Sequence, residues 1–139
     1  MATQATCKER VTKNYQGRIA DIRQLWTAYG EDPEKQVPDL GNFNEYGLAF
    51  DYVAPDTFNG QRRGYFRYQL SWGGPGDEFR FYTDENFKPS RVEYWFLDWF
   101  DGAKRTIRSG TDWELLTEIF EDFRDCGIVE SEYHKAIEE

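Results

Sequence analysis

Near the end of the chain five carboxylates, Glu114, Glu118, Glu121, Asp122 and Asp125, sit at spacings that one helix face would collect. At about 100° per residue they share one arc, opposite an apolar stripe of Trp113, Leu116, Ile119, Phe120 and Phe123. Eleven steps of 1.5 Å carry them over roughly 16 Å of helix axis. A DNA strand carries a charge about every 3.4 Å, so that length matches about five phosphates. Only Arg124 interrupts the run, and it projects elsewhere. The chemistry available to such a face is attraction for a basic surface. The plainer reading is a solvated acidic side of an amphipathic helix.

Other residue groups offer different chemistry. Glu93, Asp98 and Asp101 would make a carboxylate site if they converged, for a metal or for general acid chemistry. The simpler reading has Asp98 and Asp101 ending a strand and capping a turn, and no metal site is assigned. Arg67, Arg80 and Tyr82 fall on the polar side of alternating strands, with Asp51, Gln69 and Glu93. Arginine beside an aromatic could stack a nucleotide base, which makes these three the alternative ligand-binding set. Opposite charges on adjacent strands also pair to hold an ordinary sheet face, and the charge balance favours that. The Gly73-Gly74-Pro75-Gly76 run lacks the Lys-Ser or Lys-Thr of a phosphate loop and reads as a tight turn. His134 is the single histidine and lies in a polar tail, which argues against a histidine-based triad. No catalytic residue and no cofactor is assigned. Cys7 and Cys126 stand far apart, in no metal or redox spacing.

These groups need elements to hold them. Val11, Tyr15, Ile19, Ile22, Trp26 and Tyr29 recur at three and four, which predicts a helix over residues 7–29. A polar loop follows over residues 31–45. Four strands are predicted. The first runs over 46–53, with Leu48, Phe50 and Tyr52 alternating, and the second over 65–72, with Phe66, Tyr68, Leu70 and Trp72. The third covers 78–83, with Phe79 and Phe81. The fourth covers 91–100, where Trp95, Leu97 and Trp99 make the second side apolar too. Trp95 and Trp99 are therefore candidate anchors in an exposed partner or dimer patch, unless loop 31–45 folds over them. Thr111-Asp-Trp-Glu114 has the form of a capping box opening the acidic helix, and Gly127 is suited to stop it. A short helix or frayed end is expected from Ser131. The whole, residues 1–139, reads as one α+β domain: a four-stranded antiparallel meander with an N-terminal and a C-terminal helix on one face.

Composition narrows the function classes. The net charge is −9, with five basic and two acidic side chains in residues 1–30 against two basic and ten acidic in residues 110–139. A nucleic-acid backbone needs a basic footprint, so a direct nucleic-acid partner is not expected and a basic partner is. No apolar run of about 18 residues is present to cross a bilayer, and no apolar segment follows the basic start, so a cytoplasmic protein without a membrane partner is expected.

The segments WGGPGDEFRFY (72–82) and VEYWFLDWFDGA (92–103) resemble a group of small accessory proteins carried by plasmids and phages. In that group a Gly-Gly-Pro turn, aromatic strands and a Tyr-Trp-Phe-x-Asp-Trp-Phe run occur together. The resemblance covers residues 42–103. It implies a mobile-element setting in a bacterial host and transfers no catalytic residue. Small acidic proteins from such settings often inhibit restriction enzymes or CRISPR complexes, some by imitating DNA. The expectation is a non-enzymatic anti-CRISPR or antirestriction inhibitor that binds the basic nucleic-acid site of a host defence protein. Glu114, Glu118, Glu121, Asp122 and Asp125 would supply the charge, and Trp95 or Trp99 the apolar anchor. A small-molecule or nucleotide binder using the polar sheet face is the alternative.

Overall fold

The computed structural model describes residues 7–73, 75–98 and 101–138. Its elements are α1 (Cys7–Glu31), α2 (Phe43–Tyr46), β1 (Ala49–Val53), β2 (Tyr65–Ser71), β3 (Gly76–Thr83), β4 (Pro89–Asp98), β5 (Asp101–Ile107), α3 (Gly110–Asp125) and α4 (Ile128–Ile137). The strands form one antiparallel sheet in chain order, β1-β2-β3-β4-β5. The α+β class and the meander are as the sequence predicts, but the sheet has five strands instead of four. β5 escapes period-two reading because it lies at the edge. Only Ala103 and Ile107 reach the core, while Lys104, Arg105 and Thr106 are exposed. Asp98 on β4 and Asp101 on β5 are directly opposite each other.

Alternation divides the sheet into two unlike faces. Phe50, Tyr52, Phe66, Tyr68, Leu70, Phe79, Phe81, Val92, Tyr94, Phe96 and Ile107 pack into one core with the helices. On α1, Val11, Tyr15, Ile19 and Ile22 are buried as predicted, Trp26 and Tyr29 only partly, and Leu25, outside the predicted stripe, is fully buried. On α3, Leu115, Leu116, Ile119 and Phe120 are buried, with Trp113 and Phe123 at the margins. Phe120 is wholly buried and its ring lies 5.0 Å from Phe81, 5.5 Å from Phe66 and 6.2 Å from Phe50. Full burial of such a ring stabilises the fold by about 1.5–3 kcal/mol, before the aromatic pairing is counted.

Several local expectations are corrected. Leu48 and Trp72 lie outside their strands and are exposed instead of continuing the apolar alternation. The Thr111 capping box does not form: α3 begins one residue earlier, at Gly110 (φ 92°), and its N-cap Ser109 makes no side-chain bond. Asp112 of the first turn instead accepts from Tyr15 and Arg23. The polar loop contains α2, whose Phe43 is buried against Trp26 and Tyr29. Gly127 is left-handed at φ 81° and ends α3 as expected. The following helix, however, starts at Ile128 instead of Ser131, burying Val129 and setting Tyr133 on Tyr52 and Phe87.

Candidate partner-binding surface

α3 is amphipathic, so packing its apolar stripe on the sheet turns the opposite side outward. Glu114, Glu118, Glu121 and Asp125 are exposed and Asp122 is half-buried. Glu121 is 3.4 Å from Arg124. Among the described residues, no cation lies within ion-pair distance of Glu114, Glu118, Asp122 or Asp125. Burial and the neighbouring Asp125 raise the Asp122 carboxyl above its ordinary value. Glu114, Glu118 and Asp122 form one wall of a groove of about 650 Å³, whose other wall is α1. On that wall Trp26 and Tyr29 stack at 5.2 Å. Arg23, paired with Asp112 at 2.8 Å, also lines the groove, so a positive side chain entering there would meet carboxylates and aromatic side chains beside one resident cation.

Carboxylates on the sheet are paired. Arg67 bridges both oxygens of Asp51, its directly opposite residue on β1, at 3.0 and 2.7 Å. Arg80 pairs with Glu78 at 2.7 Å. Its guanidinium lies 4.2 Å from the centre of the Trp95 ring and 4.7 Å from that of Tyr65. Tyr82 is buried under Arg63 and Arg91. The alternative ligand set therefore shares one face, but the structure commits its functional groups to one another. Trp95 is half-buried there, donating from Nε1 to Glu93 at 3.0 Å. Glu93 also meets Lys104 and Arg91. Burial opposes its ionisation, but the bonds from Trp95 and Lys104 and the nearby cations together hold it below the usual carboxylate range.

The sequence candidates thus fall on opposite sides. Register places Trp95 on the uncovered sheet face, beside Glu78 and Lys104, whereas α3 packs on the other. One docking surface does not hold both. Trp99 lies outside the described residues. Glu93 is likewise separated by the sheet from Asp98, which pairs with Arg10 at 2.7 Å. Among the described residues no cluster of histidine, cysteine, aspartate or glutamate is arranged to hold a metal. His134 is exposed, 3.8 Å from Glu130. Among those residues, too, no helix is long and apolar enough to cross a membrane.

Sequence reading missed the most developed polar network. Asp77, 4% exposed, accepts from Arg18 Nε at 2.7 Å and Nη2 at 3.0 Å, from the Tyr94 hydroxyl at 2.6 Å and from Ser71. Arg18 Nη1 also donates to Tyr46, which donates to Asp21. Burial and the bond to Asp77 push the Tyr94 hydroxyl far above its ordinary value, so it stays a donor. The signal available was Arg18 on the flank of the α1 apolar stripe, a position where a long cation reaches back over the core. Every acceptor direction of Asp77 is used, so the network fixes α1 to the sheet and leaves no free base for chemistry. Comparison of the whole chain with protein-family models, curated proteins and solved structures finds no match in any of the three.

Proposed function

We propose that the protein is a non-enzymatic inhibitor that docks its acidic α3 face into the basic nucleic-acid site of a bacterial host defence protein, a restriction enzyme or CRISPR complex. One observation carries this reading. Glu114, Glu118, Asp122 and Asp125 follow one another along a single helix with no cation within ion-pair distance among the described residues, while the sheet carboxylates Asp51, Asp77, Glu78, Glu93 and Asp98 each have one. Charge left unpaired along about 16 Å of helix is suited to replace phosphates in a basic channel. The resemblance of the Gly-Gly-Pro turn and the aromatic β4 run to plasmid and phage accessory proteins supplies the setting. The host, the cytoplasmic location and the class of target all belong to this proposal.

The test uses bacteria that carry a restriction or CRISPR system and a phage it targets. The protein is expected to restore plaque formation, and the variant Glu114→Lys, Glu118→Lys, Asp122→Lys is expected to lose that effect while keeping its fold by circular dichroism. A reversed variant as active as the parent protein would refute the acidic footprint. Failure of the parent protein to protect phage against a panel of such systems would refute the inhibitor reading itself.

A further inference from the structure

The outward side of α1 has a pattern that the fold does not use. Lys13, Gly17, Ala20, Gln24, Thr27 and Glu31 follow one another at spacings of four, three, four, three and four, and all six are exposed. That is the spacing of a helix seam, on the side away from the buried Val11–Leu25 stripe. Between Lys13 and Glu31 the seam is uncharged, in a chain where 31% of residues are charged. Gly17 weakens the helix interior relative to alanine, yet a Cβ placed there would meet nothing within 4 Å. No contact within the monomer accounts for the glycine.

The seam is also self-complementary. About a two-fold axis at Ile22, an antiparallel copy sets Lys13 opposite Glu31, Gly17 opposite Thr27 and Ala20 opposite Gln24, each pair occurring twice. The charge of the whole helix runs the same way. Arg10 and Arg18 are taken up by Asp98 and Asp77, but the first half still carries Lys8 and Lys13 beside Glu9, while the helix end and the following turn hold Glu31, Asp32 and Glu34 against Lys35. Antiparallel pairing therefore joins unlike charge at both ends, whereas parallel pairing would join like charge. Shape agrees. A concavity of about 770 Å³ borders Ala20, Gln24, Thr27 and Glu31, with Ile19, Ala28, Val37 and Pro38 among its apolar lining. The two-fold would bring Lys13, Gly17 and Ala20 of the second copy against it, where Gly17 permits close approach.

We infer that α1 is a homodimer interface, pairing antiparallel with α1 of a second copy of this chain about Ile22. This surface meets the acidic α3 groove at Arg23 and Thr27, which border both. The contact is modest in area and sheds few large apolar groups, so the dimer forms reversibly with concentration. The ion pair that Glu31 makes with Lys35 in the monomer is shared or exchanged on association.

Sedimentation equilibrium of the full chain over a wide concentration range tests the inference. The expected result is a monomer–dimer equilibrium. Lys13→Glu and Glu31→Lys should each weaken it by about tenfold or more, because the two-fold counts every reversal twice. The double variant K13E/E31K should restore it, since both contacts are re-formed with the charges exchanged. Gly17→Leu should abolish dimerisation while leaving the helical circular dichroism equal or higher. A parent protein that stays monomeric, a dimer indifferent to Gly17→Leu, or a double reversal that fails to recover would overturn the inference.

Discussion

Removing Arg18 while Asp77 remains should be among the most damaging single changes outside the aromatic core. In Arg18→Met the aliphatic stem is kept and the guanidinium lost, so the buried carboxylate retains only Tyr94 and Ser71 as donors. Two charge-assisted bonds disappear, at 2.7 and 3.0 Å. Hydrogen bonds to charged groups contribute about 1.5–3 kcal/mol each, and breaking a buried pair from one side costs about 3–5 kcal/mol. Arg18 is about a quarter exposed, so water recovers part of the loss, and a value near the lower end, about 3 kcal/mol, is expected. Asp77→Asn should cost less, about 1–2 kcal/mol, because the freed guanidinium can turn to solvent while the amide still accepts one bond. The double variant Arg18→Met, Asp77→Leu should be more stable than the sum of the single effects implies, since neither charge is then stranded. Urea denaturation followed by circular dichroism at neutral pH supplies all three values, provided the slope against urea is unchanged. A cost below about 1 kcal/mol for Arg18→Met, or strict additivity in the double variant, would refute the argument that this pair ties α1 to the sheet.

The tyrosines give a pH prediction. Burial is the main cause that raises Tyr15, Tyr46, Tyr68 and Tyr94 above the ordinary 10.0, Tyr46 to about 12 and the others beyond it. Above pH 10 the unfolded chain releases these protons and the folded one keeps them, so their contribution is intact below that pH and declines as pH rises toward 12. Urea midpoints should fall steadily over that window, with tyrosinate absorbance lagging in the folded protein; an unchanged midpoint would count against the burial of these hydroxyls. Phe120→Ala should cost about 3–5 kcal/mol, since the vacated space lies among Phe50, Phe66 and Phe81 and cannot easily collapse. A loss under about 2 kcal/mol in the same urea assay would mean that the cluster repacks.

What could be read in advance depended on how many neighbours a residue needs to define its role. The α1 and α3 stripes and the alternation of β2 were legible because a helix or strand shows its buried side by spacing alone. β5 was not, since an edge strand with exposed Lys104, Arg105 and Thr106 lacks that signature. The acidic arc of α3 was legible for the same local reason, and its exposure follows from the buried stripe behind it. That Trp95 and this arc lie on opposite sides needed strand register, which no single segment carries. The Asp77 network joins residues 59 and 17 positions away. Neither partner is implied by anything near Asp77 in sequence.

A meander in chain order leaves two strands that could each recruit a stranger's backbone. The β5 border is guarded against such growth. Lys104 extends on the uncovered face toward Glu93 and Trp95, and Arg105 on the helix side, with its guanidinium 4.7 Å from the centre of the Tyr15 ring. An incoming strand would meet a cation on either side and would have to desolvate or displace it. The other border, β1, is only five residues long and too short to template much pairing. The arrangement that cost β5 its sequence signature therefore also keeps an aromatic-rich sheet from propagating into aggregates.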